Sequence, residues 1–234
     1  MKICLYGIST IALGKHNLRD SRLDQAHQLV EAKKKTYAQI DLADDSSLAD
    51  ADAIIVSTDL RSDLILKDLE FVETRLGRNP TDAERAALTR LNNALENEIT
   101  VRDAPLTDED RLALSAHTFT TQRPVVAASE AELADPDPLL LRAYHAAGFI
   151  SYLTVGGKEN RAWMIRQGAT AWEAAGAIHS DIQKGFIRAE IIDFNDFIEA
   201  GGETQAKRAG KLRLETKSYI VRDCDIVNFR FNKT

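Results

Sequence analysis

Short apolar runs and amphipathic stretches alternate along the first 150 residues. The run KICLYG (2–7) is apolar and ends in glycine, which predicts a buried strand of a parallel sheet. The segments TYAQIDL (36–42), ADAIIVS (51–57) and RPVVAAS (123–129) predict further strands. A helix is expected to begin at Ser21, whose hydroxyl can cap it. This part of the chain is therefore expected to combine parallel strands with helices.

A helical hairpin is predicted at about residues 60–100. Leucine, isoleucine and valine recur there at gaps of three and four, the spacing of an apolar seam on a helix. The turn GRNP (77–80) interrupts the seam, and Thr81 with Glu84 predicts a capping box for the second helix. The seam consists of Ile65, Leu69, Val72, Leu76, Leu88, Leu91 and Leu95. Each half covers only about two heptads, which does not favour a long coiled coil.

From residue 149 the pattern changes to closely spaced strands around one helix. The helix is predicted over TAWEAAGAIHSDI (170–182). Strands are predicted over FISYLTV, RAWMIR, GFIRAEII, KSYIVRD and DIVNFRF. Such a mixture in about 80 residues indicates a compact α+β module. We therefore predict two domains, over 1–148 and 149–234.

Composition and charge fit a globular protein with two different parts. The 234 residues are 44% hydrophobic, a fraction typical of soluble domains. Residues 1–155 carry 17 Lys and Arg against 25 Asp and Glu, whereas residues 156–234 carry 13 against 11. Cys4 and Cys224 have no metal-ligand spacing, and the sequence shows no signal peptide or apolar membrane span. A cytoplasmic protein without a membrane partner is expected.

The C-terminal third carries a set of ordered motifs that resembles a known family. Its similarity is to the C-terminal TGS-type domain of the YchF/Obg-like ATPases. The matching motifs are Arg161-Ala162-Trp163, Ala174-Ala175-Gly176, Ile178-His179, Gly185-Phe186-Ile187-Arg188-Ala189-Glu190, Asp196-Phe197, Ala206-Lys207, Gly210-Lys211, Arg213, Tyr219 and Phe229-Arg230-Phe231-Asn232. The segment DSRLDQAHQLVEAKKKTYAQIDLAD resembles the family more faintly. One departure is Cys224, where the family has the glycine of an Asp-Gly-Asp turn.

The resemblance implies a fold class as well as a function. It implies an α/β layer reduced from a P-loop domain and carrying the short helical hairpin. A β-grasp (ubiquitin-like) TGS module, α+β in class, is expected to follow. The family's TGS module implies association with the ribosome or RNA, and its core implies ATPase activity.

The phosphate-binding loop of such a core is degenerate in this chain. A working loop has the pattern G-x-x-x-x-G-K-[ST], whose glycines, lysine and hydroxyl bind phosphates and magnesium. Aligning Gly14-Lys15 with that pattern places Ser9 at the first glycine and His16 at the hydroxyl. Asp44 stands at the glycine of the family's D-x-A-G switch. Gly14 and Lys15 are thus a predicted remnant of the phosphate loop, and no catalytic residue is predicted.

The second candidate site is a basic segment, AKRAGKLRLE. Lys207, Arg208, Lys211 and Arg213 are predicted to contact RNA phosphates or a protein partner. We therefore predict a non-catalytic binding or regulatory protein that associates with the ribosome, RNA or another protein through the TGS module. No cofactor and no metal site are expected. The alternative is a nucleotide-binding ATPase or GTPase that uses Lys15 and binds ATP or GTP with Mg²⁺.

Overall fold

A computed structural model describes residues 1–232 of the chain. The strands within them are β1 (Lys2–Tyr6), β2 (Gly14–Leu18), β3 (Lys34–Thr36), β4 (Ala38–Ala43), β5 (Ala53–Ser57), β6 (Val125–Ala128), β7 (Phe149–Thr154), β8 (Glu159–Arg166), β9 (Phe186–Ile192), β10 (Arg213–Glu215) and β11 (Ile226–Phe231). The helices are α1 (Ser21–Leu29), α2 (Arg61–Leu76), α3 (Asp82–Glu96), α4 (Asp108–Ala113), α5 (Glu130–Ala134), α6 (Pro136–Ala146), α7 (Ala171–Ile178), α8 (Ser180–Lys184), α9 (Phe194–Ala200) and α10 (Glu203–Arg208). The expected mixed α/β fold with two sheets is confirmed.

The chain divides into two compact units that are each built from two segments. Unit 1 contains residues 1–15 and 41–147, and unit 2 contains residues 16–40 and the chain from 148 onward. The sequence placed residues 16–40 in the first domain. In the structure β3 pairs in parallel with β8, and the Asn160 side-chain amide donates to the Val30 carbonyl at 2.6 Å, so this segment belongs to unit 2. The last two residues of the predicted 149–234 domain lie outside the described range.

Unit 1 is organised around a parallel sheet. Its sheet has the strand order β2-β4-β1-β5-β6, and the boundary between the units falls within β2 and β4. β1 pairs in parallel with both β4 and β5, while β5 pairs in parallel with β6. The β-branched run of β5 suits its interior position between β1 and β6, since Ile54, Ile55 and Val56 are all fully buried. The sequence-predicted strands at 51–57 and 123–129 are therefore confirmed, with the shorter bounds of β5 and β6.

The predicted helical hairpin is present in unit 1. Helices α2 and α3 pack along the apolar seam, and the Ser62 hydroxyl donates to Glu98 at 3.2 Å, which brings the start of one helix to the end of the other. Thr81 caps α3 by accepting the Glu84 N–H. The predicted capping box is only half formed because the Glu84 side chain binds Arg75 of α2.

Unit 2 contains a six-stranded mixed sheet with the order β10-β9-β11-β7-β8-β3. Helix α7 packs on its apolar face against Ile150, Tyr152 and Phe229. The prediction of one continuous helix over 170–182 is wrong, because the backbone of His179 is extended and separates α7 from α8. An isolated bridge from Thr170 to Ile220 replaces the strand predicted over KSYIVRD (217–223).

The backbone of that segment pairs with a loop instead of a strand. The Tyr219 carbonyl accepts the Ala171 N–H at 2.7 Å, and the Val221 N–H donates to the Ala169 carbonyl at 3.0 Å. The alternating pattern of this segment therefore correctly predicted an extended backbone. It did not predict that this backbone stays outside the strands of the sheet. Among the helices of residues 1–232, none combines the length and the apolarity that crossing a bilayer requires.

Candidate functional site

The loop that follows β1 is where the sequence predicted a remnant of a phosphate site. Gly7 opens the loop with a left-handed backbone at φ +65°, and its N–H donates to Asp45 Oδ1 at 3.0 Å. The Asp45 carboxylate therefore occupies the Gly7 N–H, the first amide of the loop. An added Cβ on Gly7 would lie 2.4 Å from Leu60 Cδ1, the end of a side chain that can rotate away, so the left-handed backbone is the stronger reason for glycine at this position.

Two neighbouring carboxylates dominate the electrostatics of this loop. Asp44 caps the short 3₁₀ turn of residues 45–47, and its side chain accepts from the Ser46 hydroxyl and N–H, which lowers the pKa of Asp44. The Cys4 thiol donates to the Asp44 carbonyl at 3.3 Å, and burial, followed by the charges of Asp45 and Asp44, raises the pKa of Cys4 to about 12. Cys4 is therefore a neutral packing residue of unit 1.

These groups line a cavity of about 380 Å³. Its walls are formed by Leu5, Gly7, Ile8, Ser9, Asp44, Asp45 and Ser46. Its two charged side chains, Asp44 and Asp45, are both acidic, so the cavity repels anions. Within residues 1–232, no group of three or more His, Cys, Asp or Glu side chains is placed to hold a metal ion.

The structure places Gly14 and Lys15 in a strand. They begin β2, which directly follows the loop, and Lys15 is exposed to solvent. A phosphate-binding loop requires the N-terminus of a helix at this point, because the free N–H groups and the helix dipole bind the anion. The first helix of the chain, α1, begins only at Ser21, and its cap is Asp20 and not Ser21 as the sequence suggested.

The four basic residues of the second predicted site have different environments. Lys207 and Arg208 lie in the last turn of α10, are exposed, and form no ion pair within the described part of the chain. Lys211 pairs with Asp196 at 2.9 Å, and this hydrogen bond raises the pKa of Lys211. Arg213 pairs with Glu215 at 3.4 Å and donates to the Tyr219 hydroxyl at 3.1 Å. Two of the four cations are therefore free to bind phosphates.

A turn at residues 223–225 joins distant parts of unit 2 through contacts that no sequence motif indicates. Asp223 accepts the Ser151 N–H at 3.1 Å and the Arg22 guanidinium at 2.7 Å. Asp225 is buried, which raises the pKa of its carboxyl, and it accepts from the Tyr219 hydroxyl at 2.9 Å. Arg22 and Asp223 lie 201 positions apart, so no local pattern could predict this pair.

Comparisons with known proteins agree with this architecture. The YchF-GTPase_C family model, described as a protein of unknown function (DUF933), matches residues 149–232. The chain is 32% identical over 235 residues to the ribosome-binding ATPase YchF of Bacillus subtilis, an alignment that covers 73% of this chain and 64% of that protein. The chain belongs to the YchF family.

Other YchF proteins give the same result. The ribosome-binding ATPase YchF of Escherichia coli O157:H7 is 33% identical over 235 residues, covering 74% of this chain and 65% of that protein. The solved structure of the Schizosaccharomyces pombe YchF GTPase has the same fold at a TM-score of 0.73 and 17% identity, covering 98% of this chain and 97% of that one. The chain thus spans slightly less than two thirds of the length of these two bacterial YchF proteins.

Proposed function

We propose that this chain is a non-catalytic YchF relative that has lost nucleotide hydrolysis and associates with the ribosome through unit 2. The observation that carries the first part is the hydrogen bond from the Gly7 N–H to the Asp45 carboxylate. An anion supplied by the chain already binds the amide that opens the loop leading to Gly14 and Lys15. A triphosphate would have to displace this carboxylate and then remain beside it.

Replacing the Asp45 carboxylate by a triphosphate is electrostatically unfavourable. Each carboxylate next to a phosphate charge repels it by about 1 kcal/mol even at the dielectric constant of water. Asp44 and Asp45 both line the cavity, and Lys15 lies in an extended strand without a helix N-terminus behind it. The same features argue against the alternative of an ATPase or GTPase that binds its nucleotide with Mg²⁺ at Gly14 and Lys15.

Ribosome association is the second part of the proposal. The curated YchF relatives are named ribosome-binding ATPases, and the family match falls on unit 2. We assign unit 2 as a β-grasp TGS module, supported by the parallel pairing of β7 with β11 and by α7 packed on the sheet. Lys207 and Arg208 supply free cations for RNA phosphates, and Lys211 and Arg213 contribute less because they are already paired. Such a role belongs in the cytoplasm.

Nucleotide binding tests the first part. Titration of the full chain with fluorescent ATP and GTP analogues and Mg²⁺ is expected to show no saturable binding and no turnover. Replacing Asp45 by Asn (Asp45→Asn) should produce weak binding of triphosphate, since it removes the charge that repels the phosphate. Tight binding by the unmodified chain, with turnover abolished by Lys15→Ala and retained in Lys33→Ala, would establish the ATPase or GTPase alternative.

Co-sedimentation with ribosomes across a salt series tests the second part. The chain should pellet with ribosomes at low salt and dissociate as salt rises, because contacts with phosphates release counterions. Lys207→Glu and Arg208→Glu should weaken pelleting more than Lys211→Glu, because Asp196 already neutralises the charge of Lys211 in the unmodified chain. Lys184→Glu, an exposed lysine elsewhere in unit 2, is the control. Absence from the pellet at low salt would leave a protein partner as the remaining candidate.

A further inference from the structure

The cavity beside β11 is distinct from both sites discussed so far. It has a volume of about 450 Å³, within the range of ligand-binding clefts. It is lined on one side by the loop that follows β7, on another by Ile178 and Ile182, and at its base by β11. All of these residues belong to unit 2.

The base of this cavity is a strand with one unpaired edge. β11 pairs with β9 along its whole length, but in the described residues its pairing with β7 is confined to Ile226 with Leu153. β7 ends at Thr154, and the chain turns away through the glycines at 156 and 157, which have left-handed backbones. After Ile226, no strand within residues 1–232 pairs with the side of β11 that faces β7.

The backbone groups at this edge can be assigned from the pairing. The Leu153 N–H donates to the Asp225 carbonyl at 2.8 Å, and the Asn232 N–H on the opposite side donates to the Gly185 carbonyl. Since successive residues of a strand direct their N–H and C=O to alternate sides, those of Phe229 point to the open edge. Within residues 1–232 no strand pairs with Phe229 on this side, and the unpaired N–H and C=O groups of a strand edge are available to a further strand. An added strand satisfies them.

Three charged side chains line the cavity, Lys158, Glu159 and Glu203, and Glu159 is already paired with Lys34 at 3.0 Å. Lys158, in the loop between β7 and β8, and Glu203, at the start of α10, form no ion pair within residues 1–232. Ile178 and Ile182 supply an apolar wall. The cavity therefore complements an extended backbone that has an apolar side chain toward this wall and an acidic one toward Lys158.

We propose that this cavity binds an extended peptide segment of a protein partner, with apolar and acidic side chains, as a strand added to the free edge of β11. Strand addition of this kind takes its affinity from main-chain hydrogen bonds and its specificity from pockets for alternate side chains. The cavity includes Glu203 at the start of α10 but not Lys207 or Arg208 in its last turn, so either proposal can fail alone.

The test is a nuclear magnetic resonance titration of the isotope-labelled full chain with acetylated Thr-Val-Thr-Val-Glu-amide. Saturable shifts are expected at residues 155–158 and 227–231. The same peptide with all five residue nitrogens methylated should give none, because it lacks the backbone donors along both edges. Shifts that are absent at millimolar peptide, or that are equal for the methylated peptide, would refute strand addition.

Two variants make the test specific. Lys158→Glu should weaken binding about tenfold and should favour a peptide that ends in lysine, whereas Lys33→Glu, an exposed lysine outside the cavity, should change nothing. Ile182→Trp should abolish binding by filling the cavity, with Ile220→Trp as the control for added surface bulk. Unchanged binding in both Lys158→Glu and Ile182→Trp would place the peptide elsewhere.

Discussion

At the scale of single residues, Cys224 is the position where this chain departs most clearly from its family pattern. Its backbone has φ +62°, the left-handed region that favours glycine, and its side chain is buried. A cysteine in place of a glycine at such a turn must either adopt this conformation or change the turn. The structure keeps the turn, with Asp223 and Asp225 bound on either side of Cys224.

A pair of substitutions at Cys224 isolates the backbone strain. Cys224→Ala and Cys224→Gly both remove the thiol, but only glycine relieves the left-handed backbone. We expect the glycine variant to be more stable than the alanine variant by about 1 kcal/mol, the reverse of the usual order. Urea unfolding of the two proteins measures the difference. An alanine variant of equal or greater stability would show that the turn carries no strain.

At the scale of elements, the hairpin of α2 and α3 is locked by a carboxylate that the sequence assigned to capping. Glu84 accepts from Arg75 Nε at 2.6 Å and contacts His117 Nε2 at 2.8 Å. These hydrogen bonds, that of Arg75 first, lower the pKa of Glu84 to about 2. The residue therefore ties α3 to α2 and to the segment after α4.

The pH dependence of stability follows from this shift. A carboxylate whose folded-state pKa is depressed stabilises the fold above its unfolded pKa of 4.5, and this contribution is lost as the pH falls toward about 2. Glu84→Gln should therefore be less stable than the unmodified chain at neutral pH, with a difference that shrinks across this range. Urea midpoints at several pH values measure it. Glu73→Gln, an exposed neighbour on α2, should show no such trend.

The sequence predicted elements well where burial imposes a strong apolar pattern. β5 and the α2–α3 hairpin have strong apolar patterns, and both are found. The stretch 36–42 was predicted as one strand, yet β3 ends at Thr36 and joins the unit 2 sheet, whereas β4 begins at Ala38 in the other sheet. Which sheet a strand joins depends on distant partners. Gly7 and Asp45 are likewise 38 positions apart in the sequence, so no local sequence pattern predicts their hydrogen bond.

At the scale of the whole molecule, residues 16–40 are integral to a unit whose remainder begins at residue 148. Leu23 and Ala26 of α1 are fully buried, Lys34 pairs with Glu159 at 3.0 Å, and Arg22 binds Asp223. The resemblance of the C-terminal third to its family identified most of unit 2 from sequence. It could not reveal that an early segment completes the unit, because that assignment rests on contacts across more than a hundred residues.

Hydrogen exchange on the full chain tests this organisation. Leu23→Ala removes a fully buried side chain and should destabilise unit 2 by about 2–5 kcal/mol. Amides of β7 and β8 should then lose protection more than those of β5 in unit 1. Leu29→Ala, at an exposed position on the same helix, is the matched control. Equal loss in both units would mean that they unfold together.

The interleaved order of the two units constrains how the chain folds as it is synthesised. Arg22 emerges 201 residues ahead of Asp223, which corresponds to roughly 10 to 40 s at cellular translation speeds. The first strand that α1 packs against, β8, emerges earlier in that interval, since its Asn160 lies 130 positions after Val30. Until then the apolar face of α1 has no docking surface in unit 2. The nascent polypeptide therefore passes through a long stage in which this helix is a natural substrate for chaperones or proteases, and slowing translation downstream of residue 147 would extend that exposure.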